Sequence, residues 1–496
     1  MTYRSTRGKD AGTSFSEAVI KGLASDGGLF VPEEEVRFTP DEIKKLCGMD
    51  YKGIAAEVIA GYADDFDPAE IRECVDEAYT AAKFPEGPAG FTTLDGSLSV
   101  LELWHGPTCA FKDMALQILP LFMKKAVEKR GESKEITILT ATSGDTGKAA
   151  LEGFRDVKGV KIMVFYPSEG VSETQKLQMV TQAGSNVNVV AIVGNFDNAQ
   201  TGVKKIFSDK AFEKKLLGDG KMLSSANSIN WGRLLPQIVY YFYSYARLVA
   251  SGTVKFGEKI DFCVPTGNFG DILACYYAKK AGLPVEKIIC ASNENKVVAD
   301  FLRTGVYDKN REFMTTTSPA MDILVSSNLE RLIYDALGKD CGAVKDLMEK
   351  LAACGKYEVG KDVLSKIRND FDSGFSDCGE VSKEIAKIYK KYNYLIDPHT
   401  AVGVSVFEKV SDRTRHTVCV STASPFKFNA CVAGSLFGSD AVEGIGEDKV
   451  CALLSEKTGI PVPAPLCGLF DREIRFNEVV TPDLMPKTAE DFIYDK

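Results

Sequence analysis

The stretch Leu103–Gln117, which reads LWHGPTCAFKDMALQ, contains the residue with the clearest chemical potential, Lys112. A turn-forming segment, His105–Thr108, precedes this lysine, and an apolar run suited to the start of a helix follows it. An amine beside Phe111 and such a run is partly desolvated, and desolvation lowers the pKa of a lysine. A neutral amine is the form that makes a Schiff base with an aldehyde. A lysine on an ordinary surface loop is the alternative that this segment alone leaves open.

Two further loops each follow a run of strand character and precede a helix. The letters VPTGNFGD at Val264–Asp271 place glycines where backbone N–H groups could bind a phosphate, although an ordinary strand–helix turn also fits. The letters TATSGDTG at Thr140–Gly147 suit a carboxylate, or else they cap a helix. The second loop is not a nucleotide P-loop, because Thr142 and Ala149 stand where Gly and Ser or Thr are required.

Three more segments carry polar groups at strand or helix ends. In Val418–Phe428, the Thr422 hydroxyl can hydrogen-bond a pyridine nitrogen without protonating it, and a strand-end cap is the alternative. Ser225–Arg233 offers side-chain amides and an arginine that could bind a phosphate or carboxylate through two hydrogen bonds. The alternative is that the arginine is exposed to solvent at the start of a helix. His399, in a turn, is favoured as a structural histidine.

The elements that must position these groups alternate between strand and helix from about residue 95. Short apolar runs predict strands at Ile136–Ala141, Lys161–Tyr166, Val187–Val193, Lys259–Val264, Lys287–Ala291 and Thr417–Ser421. This alternation predicts mostly parallel sheets with helices on both faces, and ligands bind such sheets at the carboxyl ends of the strands. We expect a mainly helical N-terminal domain at 1–92, a catalytic region at 93–440 with a helical insertion near 340–395, and a C-terminal covering segment at 441–496.

Composition narrows the class of protein. A net charge of −9 without a basic stripe argues against nucleic acid, and no segment has the roughly 20 unbroken apolar residues of a membrane span. Thirteen scattered cysteines, no C-x-x-C pair and three histidines argue against a zinc site and favour a reducing compartment. Cys109 is interpreted as a packing residue. We expect a cytoplasmic enzyme with no bound metal.

Taken together, these motifs resemble the threonine synthases, pyridoxal-phosphate (PLP) enzymes of the tryptophan synthase β-like group, fold type II. The resemblance is carried, in chain order, by these segments: Tyr3–Gly8, Asp26–Pro32, HGPTCAFKDMALQ, TSGDTG, Ser172–Met179, Gly194–Asp197, Asn227–Asn230, TGNFGD and DPHTAVG. It implies an α/β fold of two parallel-sheet subdomains with a small helical N-terminal domain.

The resemblance also implies a role for each candidate site residue. Lys112 would form the Schiff base with pyridoxal 5'-phosphate and act as the catalytic base, and Thr422 would face the pyridine nitrogen. The cofactor phosphate would be surrounded by Gly267, Asn268, Phe269, Gly270 and Asp271. The substrate would be bound by Ser143, Asp145 and Thr146 at its carboxylate, and by Asn227, Asn230 and Arg233 at its phosphate.

The implied activity is that of a PLP-dependent carbon–oxygen lyase of threonine biosynthesis. It would convert O-phospho-L-homoserine and water to L-threonine and phosphate by γ-elimination and β-addition of water, as a monomer or homodimer. A related PLP phospho-lyase that releases 2-oxobutanoate and a catalytically silent PLP-binding homologue stay open. The Tyr3–Gly8 and Asp26–Pro32 segments favour this family over other amino-acid PLP enzymes, such as dehydratases.

Two departures from the family pattern affect the substrate side. Ser424 stands where the family often has the histidine of T-A-H-P-A-K-F, and Trp231-Gly232 stands where a proline-containing pair is frequent. Neither removes an implied cofactor contact.

Overall fold

The structure is a computed structural model that describes residues 1–131, 134–142 and 144–495, and of Asp197 it describes only the backbone. Residues 1–80 form four helices and one pair of short antiparallel strands. Their bounds are β1 (Tyr3–Ser5), α1 (Phe15–Lys21), β2 (Phe30–Pro32), α2 (Pro40–Leu46), α3 (Tyr51–Ala60) and α4 (Pro68–Ala78). Helix α2 begins where it does because Thr39 and Glu42 satisfy each other's backbone N–H groups in a capping box ahead of Pro40.

Residues 90–292 alternate between strand and helix. The elements are β3 (Gly90–Thr93), β4 (Leu98–Glu102), α5 (Asp113–Leu116), α6 (Leu119–Arg130), β5 (Glu135–Ala141), α7 (Asp145–Phe154), β6 (Val160–Pro167), α8 (Glu173–Val180), β7 (Val187–Ile192), α9 (Phe196–Ser208), α10 (Lys210–Gly218), β8 (Lys221–Ser224), α11 (Trp231–Ala250), β9 (Ile260–Pro265), α12 (Gly270–Lys280) and β10 (Val285–Ser292). The central strands β5 and β9 are almost wholly buried, as expected for strands of sheets covered on both faces, whereas the edge strands β3 and β8 are mostly half-buried.

The remainder of the chain is richer in helix. Its elements are α13 (Val297–Thr304), β11 (Val306–Asp308), α14 (Leu329–Ala336), α15 (Cys341–Cys354), β12 (Lys356–Glu358), α16 (Lys361–Asp370), β13 (Phe371–Phe375), α17 (Cys378–Tyr392), α18 (Pro398–Val410), β14 (Thr417–Ser421), α19 (Asn429–Phe437), α20 (Glu447–Thr458), β15 (Val479–Val480) and α21 (Met485–Ile493). All six strands predicted from the apolar runs are confirmed, as β5, β6, β7, β9, β10 and β14.

Two parallel sheets organise these elements. One has the order β13-β10-β9-β14-β4-β3 and is parallel except for the β3–β4 pair, and the other has the order β15-β7-β6-β5-β8 and is parallel throughout. Two short antiparallel pairs, β1–β2 and β11–β12, stand apart from them. The predicted α/β architecture with two parallel sheets is therefore confirmed.

The region near 340–395 is less helical than predicted. Helices α15, α16 and α17 lie there, but so do β12 and β13, and β13 extends the larger sheet by pairing with β10. The letters FDSGF of β13 carry a glycine and an aspartate, which are depleted in strands, so the local pattern conceals it. Gly374 is required because a Cβ there would lie 2.9 Å from a methyl group of Val406 on α18.

The N-terminal helices share their core with the catalytic region. Buried Ile54 and Val58 of α3 belong to the same apolar cluster as α11, and Tyr51 contacts Tyr243 edge to face at 5.3 Å. The segment at 441–495 contacts the smaller sheet, because β15 pairs with β7 there. The predicted boundaries near residues 92 and 440 stay predictions. Among the described residues, no helix combines the length and apolar character that crossing a bilayer requires.

Candidate active site

Three loops meet at the carboxyl edge of the larger sheet. They follow the adjacent parallel strands β4, β9 and β14, and they carry Lys112, the Gly267–Asp271 segment and Thr422 respectively. The backbone N–H of Phe111 donates to the carbonyl of Thr422 at 2.8 Å, so the first and third loops are directly joined. Topology thus brings together the residues predicted to hold the cofactor.

The turn before Lys112 is fixed by a buried carboxyl group. Asp113 accepts hydrogen bonds from the backbone N–H and the hydroxyl of Thr108, at 2.8 and 2.7 Å. Burial raises the pKa of Asp113 to about 7, against the opposing effect of these bonds. Gly106 allows this close packing, because a Cβ there would lie 2.5 Å from the Asp113 carboxylate. The turn delivers Lys112 at the start of α5.

The amine of Lys112 is largely desolvated. Its side chain is 11% exposed, and its Nζ lies 3.7 Å from Oδ2 of Asp145, the first residue of α7. Burial lowers the pKa of Lys112, Asp145 opposes this, and the nearby charges of Lys427 and Arg233 lower the pKa further. The lowered pKa makes the neutral amine, which is the nucleophilic and basic form, more accessible than on a solvated lysine.

Asp145 at the start of α7 connects two buried lysines. Its Oδ1 accepts from Nζ of Lys427 at 2.7 Å and from Nε2 of Gln175 at 2.8 Å, while Oδ2 faces Lys112. Burial alone would raise the pKa of Asp145, but the charges of Lys427 and Lys112 outweigh it and hold that pKa well below its usual range. An ionised carboxylate cannot donate to a substrate carboxylate. The contacts predicted between this loop and the substrate carboxylate stay predictions for Asp145 and Thr146.

The predicted serine of this loop, Ser143, lies outside the described residues. The hydroxyl of Thr142 accepts from the N–H groups of Gly144 and Gly147, at 3.0 and 2.9 Å, so this threonine caps the helix. Lys148 pairs with Glu152 at 3.2 Å and with Gln182, away from Lys112. A P-loop function is thereby excluded for both Thr142 and Lys148.

The loop Gly267–Asp271, called the glycine loop below, is hydrogen-bonded to the segment that precedes α14. Asn328 donates to the carbonyl of Asn268 through its backbone N–H at 3.1 Å and its side chain at 3.0 Å, and Ser326 donates to the carbonyl of Gly267 at 2.9 Å. Phe269 has a left-handed φ of 61° immediately before α12. The loop is thereby fixed directly before the N-terminus of α12, where the helix dipole and unpaired N–H groups favour an anion.

A fully buried arginine supports this arrangement. Arg331 donates to the carbonyls of Phe30 and Ile229, at 2.9 and 2.7 Å, and to the side chain of Asn328. Burial lowers the pKa of Arg331 to about 10. One side chain thus joins the N-terminal strand β2, the loop before α11 and the residue that holds the glycine loop.

Asp271, the last residue of the glycine loop, is held by two tyrosines. Its Oδ1 accepts from the hydroxyls of Tyr240 and Tyr241, at 2.5 and 2.6 Å. Burial raises the pKa of Asp271 to about 6, although the tyrosines and Lys112 act against the rise. Within the described part of the chain, its Oδ2 is buried without a hydrogen-bond partner. That atom is the one part of the side chain left for a bound group.

Thr422 and its neighbours sit on a hydrogen-bonded support. Ser421 accepts from the indole N–H of Trp104 at 3.0 Å and from the hydroxyl of Thr400 at 2.9 Å. His399 bonds Asp397 through Nδ1 at 2.6 Å and accepts from the N–H of Ala320 through Nε2 at 3.2 Å. The predicted structural role of His399 is confirmed.

The three predicted substrate-phosphate residues behave differently. Asn230 is buried, donates to the carbonyls of Val19 and Ser225, and accepts from the N–H of Gly232, so its amide caps α11 and has no group left for substrate. Asn227 is only half-buried. Arg233 is buried and donates to the carbonyl of Ala226, and its Nε has no partner among the described residues. Burial lowers the pKa of Arg233 to about 10. We therefore correct Asn230 to a capping residue and retain Asn227 and Arg233.

Both departures from the family pattern have a structural explanation. Trp231 packs against Tyr3 and Tyr277, with ring centroids 5.5 and 5.2 Å apart, and Gly232 leaves room for Leu119, which a Cβ would approach to 2.7 Å. Ser424 accepts from the N–H of Phe426 at 3.3 Å and caps the short 3-10 helix that carries Lys427. Both substitutions serve local packing.

A cleft of about 840 Å³ leads to this centre. It is bordered by residues from both sheets' loops, among them Ser172, Asn268, Thr317, Lys427 and Phe428. Cys109, by contrast, is fully buried, and burial raises its pKa to about 12. Its thiolate is therefore scarce, in agreement with the packing role predicted for it.

Replacing Gly267 with alanine should weaken cofactor binding by about tenfold or more, equivalent to ~1.4 kcal/mol. A Cβ at this position would lie 2.7 Å from the carbonyl oxygen of Ala320, so the loop must move. Equilibrium dialysis against pyridoxal 5'-phosphate measures the change in affinity. Gly218→Ala, where no atom lies within 4 Å of the new Cβ, is the control. If both variants bound pyridoxal 5'-phosphate with equal affinity, the position of this loop would not matter for cofactor binding.

The sequence patterns did not indicate every group at this centre. Gln175 and Lys427 contact Asp145, and Asn328 and Arg331 hold the glycine loop. Gln175 lies in the Ser172–Met179 motif and Lys427 in the Val418–Phe428 segment, and this position within a motif was the one indication of their role in the sequence. Asn328 and Arg331 stand in none.

Three family models match consecutive parts of the chain. They describe the threonine synthase N terminus at residues 2–79, a pyridoxal-phosphate dependent enzyme at 88–362, and the threonine synthase C-terminal region at 400–493. Together they cover most of the chain in the order predicted by the motifs.

Curated relatives carry related names. Human threonine synthase-like 1 is 41% identical over 432 residues, which are 85% of this chain and 58% of that protein. The chain therefore spans little more than half the length of that relative. Threonine synthase of Pseudomonas aeruginosa is 40% identical over 96% of this chain and 95% of its own length, and that of Saccharomyces cerevisiae is 38% identical over 88% and 89%.

Solved structures agree with these relatives. PLP-bound threonine synthase from Brucella melitensis superposes with a TM-score of 0.87 at 38% identity, over 100% of this chain and 99% of that one. Yeast threonine synthase gives a TM-score of 0.87 at 33% identity, also over 100% and 99%.

Proposed function

The chain belongs to the threonine synthase family, and from this premise we propose that it makes L-threonine and phosphate from O-phospho-L-homoserine and water. Its central region belongs to the PLP-dependent enzymes, and its fold is that of fold type II. The observation that carries the proposal is the desolvated amine of Lys112, placed where the loops after β4, β9 and β14 meet.

The residues at this centre fit pyridoxal 5'-phosphate. Lys112 supplies the amine that binds its aldehyde, the N–H groups at the start of α12 suit its phosphate, and Thr422 stands on the neighbouring loop for its ring nitrogen. A threonine there leaves the pyridine unprotonated. The bound cofactor supplies an electron sink for negative charge on the substrate's carbon atoms.

The chain's own groups then account for the proton transfers. Lys112 acts as the base when its amine is not bound to the cofactor. Its lowered pKa lets it take a proton from Cα of the substrate and return protons later. Asp145 holds the amine in position through its Oδ2, which lies 3.7 Å from Nζ of Lys112. Departure of phosphate from Cγ is favoured by a cation near the leaving group, because negative charge develops there.

Arg233 is our candidate for that cation, because it is a buried guanidinium whose Nε–H has no hydrogen-bond partner in the described part of the chain. Arg233→Leu should raise KM for O-phospho-L-homoserine by at least about tenfold, since each charge-assisted hydrogen bond contributes about 1.5–3 kcal/mol. Steady-state kinetics measure it. Arg247→Leu, on the exposed end of the same helix, is the matched control. An unchanged KM in the Arg233 variant would remove this residue from the substrate site.

The function is tested by giving PLP-loaded protein O-phospho-L-homoserine, identifying the organic product by NMR and following phosphate in parallel. We expect threonine and phosphate in equal amounts. Phosphate with 2-oxobutanoate would indicate the phospho-lyase instead. Visible cofactor absorbance without phosphate release would indicate a PLP-binding homologue with another role.

We further propose that the protein acts in the cytoplasm, alone or as a homodimer, with this small molecule as its partner and without nucleic acid or membrane. The scattered single cysteines and the absence of a basic stripe in the sequence support this setting.

A further inference from the structure

Lys427 forms the strong ion pair of the site. Its Nζ lies 2.7 Å from Oδ1 of Asp145, whereas the Nζ of Lys112 lies 3.7 Å from Oδ2. Lys427 also donates to the carbonyl of Thr108 at 3.0 Å, so its position is fixed independently of the carboxylate. The carboxylate that faces the cofactor lysine is thus paired chiefly with a different amine.

All three charged groups are withdrawn from water. The side chain of Lys427 is 0% exposed and that of Asp145 is 3% exposed, so their charges are poorly screened. Lys427 nevertheless borders the cleft that leads to Lys112. In such a buried environment the electrostatic interaction between a charge and a neighbouring amine is strong.

An aspartate beside a lysine creates a chemical difficulty. An opposite charge within about 4–6 Å favours the protonated amine, and a protonated amine neither binds an aldehyde nor takes a proton. Asp145 alone would therefore direct Lys112 correctly and inactivate it. A second cation on Asp145 removes this conflict, because it cancels the charge while leaving the carboxylate in place.

Other charged groups around Lys112 do not supply this cancellation. Arg233 and Asp271 interact electrostatically with Lys112, and Cys109 and Asp113 interact with Lys427. Lys148 and Glu152 act instead on Cys109 and Asp113 respectively. Of the cations among them, Lys148 pairs with Glu152, and Arg233 donates to a backbone carbonyl. Among the described residues, Lys427 is the cation other than Lys112 that pairs with Asp145.

We propose that Lys427 is a positioning residue that neutralises Asp145, so that this carboxylate orients Lys112 without fixing a proton on it. The assignment rests on the proposed function insofar as Lys112 is the cofactor-binding amine. It adds to that function a residue that acts on the chemistry through Asp145.

Lys427→Met should raise the pH at which Lys112 loses its proton by about one to two units, the size of a neighbouring-charge effect. The full-length protein, freed of cofactor, is labelled with trace acetic anhydride across the neutral and alkaline range. Mass spectrometry of the Lys112 peptide then gives the midpoint. The pH dependence of pyridoxal 5'-phosphate uptake, followed by visible absorbance, should shift in the same direction.

Matched variants separate charge from packing. Lys427→Gln keeps a donor for Asp145 but no charge and should shift the midpoint as Lys427→Met does, whereas Lys427→Arg should restore it. Gln175→Leu removes the other donor to the same oxygen without changing charge, and it should shift the midpoint by less than about half a unit because neutral hydrogen bonds are weaker. Circular dichroism establishes that each variant is folded, and the glutamine variant carries the test if the methionine variant does not fold.

An unchanged or lowered midpoint in both uncharged variants would overturn the proposal. The same holds if Gln175→Leu produced as large a shift as Lys427→Gln. If the wild-type protein takes up no cofactor at Lys112, the proposed function fails, but the labelling midpoint still decides the role of Lys427.

Discussion

Replacing Lys112 with alanine should abolish turnover of O-phospho-L-homoserine, lowering kcat by at least about a thousandfold, within the range for loss of a general base. The change removes both the amine that binds the cofactor aldehyde and the group that moves protons at the substrate. Phosphate release under saturating substrate measures the loss. The visible absorbance of lysine-bound cofactor should disappear with it.

Two variants make this result specific. Lys112→Arg keeps a positive charge but stays protonated, so it should be as inactive as the alanine variant. Lys124→Ala, at an exposed position on α6, should retain wild-type activity. Turnover by Lys112→Ala at more than a tenth of the wild-type rate would exclude Lys112 as the reactive amine, since one tenth corresponds to only ~1.4 kcal/mol.

Asp145→Asn should lower both stability and activity. The substitution leaves the buried amine of Lys427 without its carboxylate, and breaking such a pair typically removes about 3–5 kcal/mol of stability. We expect a clear fall in the melting temperature and a loss in kcat of about a hundredfold, because the Asp145 carboxylate no longer orients Lys112. Thermal unfolding and phosphate release measure the two effects.

Glu152→Gln is the matched comparison, because this carboxylate lies on the same helix and pairs with Lys148 at 3.2 Å, away from Lys112. It should lower the melting temperature while kcat stays within about twofold, a difference of ~0.4 kcal/mol. If the two variants lost activity equally, Asp145 would be a purely structural residue.

Local patterns predicted the parts of the fold that depend on local sequence. Strands β5, β6, β9 and β14 are buried on both faces and therefore consist of consecutive apolar residues, which can be recognised in the sequence. The pairing of β1 with β2 joins Tyr3 to Pro32, and β13 joins a sheet edge through a glycine-bearing strand. These pairings depend on distant partners, which a single stretch of sequence does not contain.

The same distinction applies to the site. The loops with Lys112, Gly267–Asp271 and Thr422 could be found because each follows a strand or turn with a recognisable composition. The pairing of Lys427 with Asp145 joins residues 282 positions apart in the chain, and no spacing rule connects them.

Asn230 shows the opposite error. An amide in a polar loop suggested a phosphate ligand, but the start of α11 required that amide for its own N–H groups and for the carbonyl of Val19 on α1. Helix capping and ligand binding use the same residue types, so sequence composition alone does not separate them.

The attachment of pyridoxal 5'-phosphate to Lys112 is tested most directly by reducing the PLP-loaded protein with borohydride and mapping the labelled peptide by mass spectrometry. Reduction fixes the cofactor covalently on whichever amine holds it. The structure predicts the pyridoxyl group on Lys112, in the peptide that contains HGPTCAFKDM. A label on Lys427, Lys148 or an exposed lysine, with Lys112 unmodified, would contradict the account.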